Sequence, residues 1–340
     1  MSKKLCAPNK NFIGLSFFII LFALFCLSCI KEKEHLLTKV TIAQWGQEKY
    51  LIYLPVYLAI ETGFFKEEGI EITIKFSGND DQTFATVIKG DAEFGVGDPV
   101  FTAISRERGF KGKVVASIVD GVAIWGLTNN SKIKFIKKPS DLAGLTVGTF
   151  PEPSTNYTLM KKTIIEGGKE LENTKIKQAP IGAQIALLES GEADIAMELE
   201  PATSLSVSKG YRVVYSSPKF YGPFSFTGLT TTEDLIQRNR QLIQKVVNSI
   251  EKAIRYAHSD FEGTVATALK LFPTLNESVV RMAVKRMVDE KTLPEHARVS
   301  DEAWQKALKV RIIVGDLKKQ QPTSDSVDNS FAEEAMKIVR

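Results

Sequence analysis

The chain has 340 residues, 44% hydrophobic and 25% charged, which suits one large or two moderate globular domains. Its formal net charge is +4, but Lys3, Lys4 and Lys10 sit in a leader without acidic residues, so the remainder is close to neutral and offers no concentrated basic face for nucleic acid. All three cysteines (Cys6, Cys26, Cys29) fall within the first 29 residues, which excludes a disulfide framework, a redox motif or a cysteine metal site from the body.

In chain order, the first feature is the apolar run Phe12–Leu27 behind a basic start. At 16 residues it is short for a membrane span and right for the core of a signal peptide. Leu27-Ser28-Cys29, followed by the charged stretch Lys31–Glu34, resembles a bacterial lipoprotein cleavage site, although Cys26 stands where leucine is usual. The expectation is a signal peptide over 1–28, lipidation at Cys29, and a tether over 29–37 that holds an exported body at a membrane. Acyl chains on one residue would tether the protein, not span the bilayer. Plain cleavage and an uncleaved N-terminal anchor are the other readings, and both still export the body.

Strands are expected at 39–43, 70–76 and 92–96, separated by helices. Pro55 stands near the start of the first helix and Gly63 just past its end. Ile70, Ile72, Ile74 and Phe76 alternate with Glu71, Thr73 and Lys75, the period of a strand. Gly90 closes a second helix, and Asp98 precedes Pro99 as a cap for a third. Such a βαβαβ run builds a parallel sheet whose ligands lie outside the carboxyl ends of its strands, where Gln44-Trp45-Gly46 and Gly97-Asp98 fall.

After a strand at 114–119 and a connector at 129–138 a second series follows. Strands are expected at 145–148, 175–178, 194–197 and 211–215, and helices at 155–167, 182–189 and 201–209. Gly90-Asp91-Ala92-Glu93 through Pro99 is echoed by Gly191-Glu192-Ala193-Asp194 through Pro201, which predicts two similar lobes facing one another. Segment 223–230 reads as a strand returning to the first lobe. Helices at 235–259, 262–271, 277–289, 301–313 and 330–338 complete the chain, with Asn276 and Ser300 as caps. The lobes would be 38–126 plus 223–340, and 127–222, hinged near 125–130 and 218–224.

No catalytic constellation stands out. His35, His258 and His296 are far apart and have no metal-ligand spacing, and no nucleophile elbow, Walker loop or dinucleotide fingerprint occurs. The expectation is no metal, no cofactor and no bond-making.

The stretch Tyr53–Ile72 contains Pro55, Ala59, Gly63-Phe64-Phe65 and Gly69-Ile70-Glu71-Ile72 in the pattern P-x-x-x-A-x-x-x-G-[FY]-F-x-x-x-G-[LI]-x-[VI]. This resembles the opening of ABC-importer substrate-binding proteins of the branch that handles nitrate, sulfonates, taurine and the pyrimidine precursor of thiamine. Asp141-Leu142-Ala143-Gly144-Leu145-Thr146-Val147-Gly148 and Asp328-Asn329-Ser330-Phe331 resemble later phrases of the same family. The likeness covers roughly 38–338 and is strongest at 53–109 and 139–201. It implies an α/β, type II periplasmic-binding-protein-like clamp. It also implies a monomer that captures a small molecule by lobe closure and hands it to an ABC permease. Yeast-type thiamine-pyrimidine synthases share the fold, but they are intracellular, cysteine-rich and consume an active-site histidine. A surface lipoprotein with a protein partner is the other class; a cleft with both Trp45 and Glu200 plugged by neighbours would favour it.

The candidate ligand-binding residues follow from the strand ends and helix starts. Trp45 is a candidate stacking wall beside Gln44, with Tyr50 and Tyr53 ahead of the first helix. Asp98 caps its helix or presents a carboxylate. Thr149 ends a strand, and Ser154-Thr155-Asn156 open a helix whose free N–H groups suit an anionic or polar head, as a sulfonate, taurine or nitrate would require. Against an anion, Glu198 and Glu200 at the cleft mouth favour NH donors or a cation. Trp125, Tyr221 and Phe224 fall at the presumed hinge. Together the aromatics and carboxylates point to a flat nitrogen heterocycle such as an aminopyrimidine, with Gln44, Asp98 and Glu200 reading its polar edges.

Overall fold

The computed structural model describes residues 37–339; the apolar run and Cys29 lie outside the described residues. No helix among the described residues is long and apolar enough to cross a membrane.

Two five-stranded mixed sheets organise the chain, and they have the same plan. The first has the order β2-β1-β3-β10-β4, built from β1 (Thr38–Gln44), β2 (Ile70–Phe76), β3 (Phe94–Gly97), β4 (Gly112–Asp120) and β10 (Ser225–Thr232). β1 pairs in parallel with β2 and β3, and β10 runs antiparallel between β3 and β4. The second has the order β7-β6-β8-β5-β9, built from β5 (Trp125–Thr128), β6 (Thr146–Thr149), β7 (Lys175–Gln178), β8 (Ile195–Glu198) and β9 (Arg212–Ser216). β6 pairs in parallel with β7 and β8, and β5 runs antiparallel between β8 and β9. The echoed phrases at 90–99 and 191–201 therefore occupy equivalent places, running through β3 and β8.

Each sheet takes its fourth strand from the chain leaving the other. β4 feeds β5 through 121–124, and β9 feeds β10 through a short helical turn and 222–224. The crossovers touch: Gly121 N–H donates to Phe224 O at 2.8 Å. Gly121 and Gly222 sit at φ +68° and +67°, a region where a side chain would strain the backbone. Trp125 was expected at the hinge but begins β5, paired with Glu198 and Ser216, so the first crossover lies ahead of 125–130. Pairing on both sides, with β8 and β9, claimed Trp125–Thr128 for the second sheet.

The helices that frame the sheets are α1 (Leu54–Glu61), α2 (Asp80–Ile88), α3 (Phe101–Arg106), α4 (Thr155–Gly167), α5 (Gln184–Glu189) and α6 (Ala202–Ser208). The C-terminal third supplies α7 (Arg240–Ser259), α8 (Phe261–Leu271), α9 (Glu277–Asp289), α10 (Asp301–Val314) and α11 (Ser330–Ile338). One helix expected over 235–259 is two, because Asn239 leaves helical geometry at φ −148° and its side chain caps α7 by accepting from Leu242 N–H at 3.1 Å. Asn276 and Ser300 cap α9 and α10 as expected, at 3.0 and 3.1 Å. Along α7, Ile243, Val246, Val247, Ile250 and Ile254 bury one stripe against α1 and α11. α9 and α10 reach across to α6 and α4, so this helical third ties the two sheets together.

Candidate functional site

The carboxyl ends of β1, β3, β6 and β8 converge on one small cavity. Trp45, Asp98, Phe150 and Leu199 follow those strands directly. Tyr53 precedes α1, Asp80 opens α2, and Ser154, Thr155 and Asn156 open α4; Phe226 and Thr227 of β10 close the wall. Among the described residues no lysine, arginine or histidine lines this space. Its volume is about 30 Å³. Water fits in roughly 10–15 Å³ on this measure, and small-molecule pockets run to hundreds of Å³. The halves must therefore part to admit a ring.

The aromatic wall is continuous. Trp45 lies 5.1 Å from Tyr50 and 6.2 Å from Phe150 between ring centroids, and Tyr50 meets Tyr53 edge-on at 6.4 Å. Trp45–Phe150 joins the two halves, since Phe150 follows β6.

Asp98 carries most of the polar structure. Its Oδ1 accepts from Val100 N–H at 2.9 Å, in place of the expected helix cap, because α3 starts only at Phe101. Its Oδ2 accepts from Arg311 Nη2 at 2.6 Å and from the Thr155 hydroxyl at 2.5 Å. Its backbone N–H donates to Asp80 Oδ1 at 2.7 Å. Arg311, on α10, also donates to Asp316 Oδ2 and Thr158 Oγ1 at 2.8 Å and to Pro153 O at 3.1 Å. Burial opposes the Arg311 charge, but Asp98 and Asp316 more than offset this and hold the guanidinium protonated. Sequence reasoning missed Arg311: it lies 213 residues from Asp98, on a helix that reads as an ordinary amphipathic one.

Burial, and next the charge of Asp98, raise the Asp80 carboxyl to about 7. Burial raises Glu198 to about 8, against the Leu199 backbone N–H. Burial, then Asp80, pushes the Tyr53 phenol up, so it stays protonated.

The expected residues divide. Trp45, Tyr53, Asp98, Ser154, Thr155 and Asn156 line the cavity together. Gln44 does not: its Oε1 accepts from the Tyr57 hydroxyl at 2.6 Å and its Nε2 donates to Glu48 O at 3.1 Å, which fixes the loop after β1. Glu200, expected to present charge at the cleft mouth, is fully buried and lies off the cavity wall. Arg286 Nε donates to its Oε1 at 2.7 Å, and Ser204 supplies its hydroxyl at 2.9 Å and its backbone N–H at 3.0 Å. That ion pair links α9 to the loop before α6. Thus Glu200 is plugged by Arg286 and Ser204, while Trp45, packed against Tyr50 and Phe150, still lines the cavity. Glu198 and Thr149 are buried beside the lining without joining it, and the Thr149 hydroxyl and Asn156 amide nitrogen have no hydrogen-bond partner. Asp80, Phe150 and Phe226 were not foreseen. Asp80 reads as one of a solvated acidic pair at a helix start.

Residues 52–262 match the model of a family described as NMT1/THI5 like. The chain belongs to that family. It is 22% identical over 321 residues to YtlA, a protein of Bacillus subtilis (strain 168) named as a binding protein, covering 92% of this chain and 94% of the relative. It is also 26% identical over 217 residues to the formylaminopyrimidine-binding protein of Halalkalibacterium halodurans, 60% of this chain and 62% of that one. Among solved structures, the aliphatic sulphonate binding protein SsuA of Escherichia coli superposes with TM-score 0.67 at 16% identity, covering 86% of this chain and 92% of that one. The fold is thus that of periplasmic binding proteins, and the desulfurization enzyme DSZB shares it at TM-score 0.62 and 13% identity, covering 88% of this chain and 99% of that one.

Proposed function

We propose that this solute-binding component of an ABC import system closes on a flat, nitrogen-bearing ring of the aminopyrimidine kind. The carrying observation is the pairing of two carboxylates, Asp80 and Asp98, with the Trp45–Phe150 wall in a cavity whose lining holds no cationic side chain. An anion would find no free cation there, because Arg311 is spent on Asp98 and Asp316, whereas a ring N–H or amino group would find an acceptor in Asp80. Stacking buries the faces of the ring, Asp80 reads its edge, and Asp98 holds the two halves around it. The relative that binds formylaminopyrimidine supports this reading.

Capture is by reversible closure. With the halves apart the ring settles on Trp45; on closing, the helix start at Ser154–Asn156 comes against it and Thr155 reaches Asp98. The ligand stabilises the closed form by the contacts it makes only there. Among the described residues no histidine lines the cavity to activate a hydroxyl of Ser154 or Thr155: His258 faces Pro294 O at 2.8 Å and His296 faces Glu251 at 2.8 Å. That supports binding over turnover.

The start of α4, where Ser154 caps the Tyr157 N–H and the hydroxyls and amide of Ser154–Asn156 line the cavity, favours a second reading, a sulfonate or nitrate held at that helix start. Thermal shift and calorimetry with aminopyrimidines, taurine, alkanesulfonates and nitrate separate the two. Stabilisation by anions alone, abolished by Ser154→Ala/Thr155→Ala and untouched by Trp45→Ala, would replace the heterocycle with the anion. We also propose that Cys29 is lipidated and tethers the body outside the cytoplasm as a monomer beside its permease. Loss of membrane association and of labelling by an alkynyl fatty acid in Cys29→Ala is the expected result.

A further inference from the structure

The near-neutral body carries one local surplus of positive charge that its totals conceal. The connector between β5 and β6 holds Lys132, Lys134, Lys137 and Lys138, all exposed. None of the four forms an ion pair among the described residues, whereas Lys161, Lys162, Lys177 and Lys219 of the same half each hold a carboxylate. Phe135 stands among them and is 43% exposed, while Ile133 and Ile136 turn inward and are buried. The face is preformed, because the connector is pinned along the free edge of β9. Ile136 N–H donates to Val214 O at 2.7 Å, and Arg212 Nη2 donates to Asn130 O at 2.7 Å and to Ile133 O at 3.1 Å. An open groove of about 820 Å³ runs beside it, bordered by two acids, Asp141 and Asp194. Both are engaged by backbone: Asp141 Oδ2 accepts from the N–H groups of Lys137 and Lys138 at 2.8 and 3.1 Å, and Asp194 Oδ2 from Thr146 N–H at 2.8 Å.

We propose that this face docks on an anionic lipid bilayer, with the four lysines among the phosphate head groups and the Phe135 ring between them at head-group depth. A single exposed phenyl ring needs no explanation, but a ring set among lysines without acidic partners is the make-up of an interfacial segment. The negative surface attracts the ammonium groups, and the boundary below the head groups takes the ring. Lysine stems are long enough to keep their charges in the polar layer while the ring goes deeper. An acidic protein surface would answer the lysines but would set Phe135 against charge; a bilayer answers both. The face lies at the amino ends of β6 and β8, whereas the cavity lies at their carboxyl ends, so docking leaves the solute site uncovered. The inference holds whichever solute the cavity takes and needs no acyl chain on Cys29. It fixes which side of the second half is turned to the membrane.

The chain from Ile30 onward lacks Cys29 and the apolar run but keeps the compact unit Thr38–Arg340 entire, so its membrane affinity reports on the folded surface alone. It is sedimented with vesicles of phosphatidylcholine, either pure or with roughly one third phosphatidylglycerol. Binding is expected to the charged vesicles only, and should weaken as salt rises from about 0.05 M to about 0.3 M. Lys134→Ala/Lys137→Ala should lower the partition coefficient roughly tenfold or more, and Phe135→Ser roughly fivefold with the salt dependence kept. Lys309→Ala/Lys319→Ala removes as much charge from exposed positions elsewhere and should change it less than about twofold. Melting temperature and solute affinity should stay unchanged in all three variants, since none of these side chains lines the cavity. Equal binding to neutral vesicles, no binding to either kind, or a control as damaging as the patch variant would overturn the proposal. Capture of polyglutamate at the patch without vesicle binding would also overturn it, and would put an acidic protein in place of the bilayer.

Discussion

The Thr155 hydroxyl donates to Asp98 Oδ2 at 2.5 Å, joining the helix start after β6 to the strand end of β3 and so one half of the molecule to the other. Arg311 reaches the same oxygen at 2.6 Å from the C-terminal helices. Closure and the helical third therefore act on one carboxylate.

That arrangement makes Arg311 a brace. Arg311→Met would leave the buried Asp98 without its cation, and should destabilise folding by about 3–5 kcal/mol. Thr155→Val keeps the shape and loses one hydrogen bond, on the order of 1 kcal/mol, felt chiefly in closure. Urea unfolding and small-angle scattering check both. A normal midpoint for Arg311→Met would remove the brace, and an unchanged radius of gyration for ligand-free Thr155→Val would remove the clasp.

A second tie runs between Arg286 and Glu200. Arg286→Met strands a carboxylate that is fully buried, and the cost should be several kcal/mol, on the scale of breaking a buried pair. Adding Glu200→Gln should recover most of it, because the uncompensated charge is gone. Solute preference should be the same in all three variants, since neither side chain lines the cavity. A change of preferred solute in Glu200→Gln would return that residue to the ligand.

The fold was legible because its signals are local. Pro55, Gly63, the Ile70–Phe76 alternation and the acid-Ala-acid echo each depend on a few neighbouring residues, and they placed β1–β3 and β6–β8. Half of the site was legible for the same reason: Trp45, Asp98 and Ser154–Asn156 sit next to strand ends. What the chain order hid were partners at long range. Nothing near Asp98 announces Arg311, and nothing near Glu200 announces Arg286, so two carboxylates that looked free for a ligand are held by cations from the last third. Gln44 was misjudged for a smaller reason, because a Tyr57 hydroxyl one turn into α1 turns it away from the cleft.

Stability should fall as pH rises through the physiological range. Glu198 and Asp80 titrate in the folded protein near 8 and near 7, well above ordinary carboxyls. Below about pH 4 both are protonated in folded and unfolded chains alike. Between roughly 4 and 8 the folded protein holds protons that the unfolded chain has released, so unfolding becomes easier as pH climbs, by up to about 1.4 kcal/mol per pH unit for each group. Above about 8 these groups add no further slope. Urea midpoints from pH 5 to 9 should show the decline, shallower in Glu198→Gln, which should also be the more stable protein at pH 8. Equal slopes for the two proteins would mean that Glu198 is ionised throughout.

Trp45 gives the proposed ring its own optical signal. The chain has three tryptophans, and Trp125 and Trp304 are wholly buried and off the cavity wall. Trp125 donates its indole N–H to Glu290 at 2.8 Å, which fixes its environment. A stacked heterocycle should therefore quench Trp45 alone, saturably, with a midpoint equal to the calorimetric Kd. Trp45→Phe should abolish the quench yet keep most of the affinity, since a phenyl ring still stacks. Trp45→Ala should weaken binding roughly tenfold to a hundredfold, from the lost aromatic contact together with the lost apolar burial. A quench that persists in Trp45→Phe would place the ring elsewhere, and unchanged affinity in Trp45→Ala would show that the wall takes no part in capture.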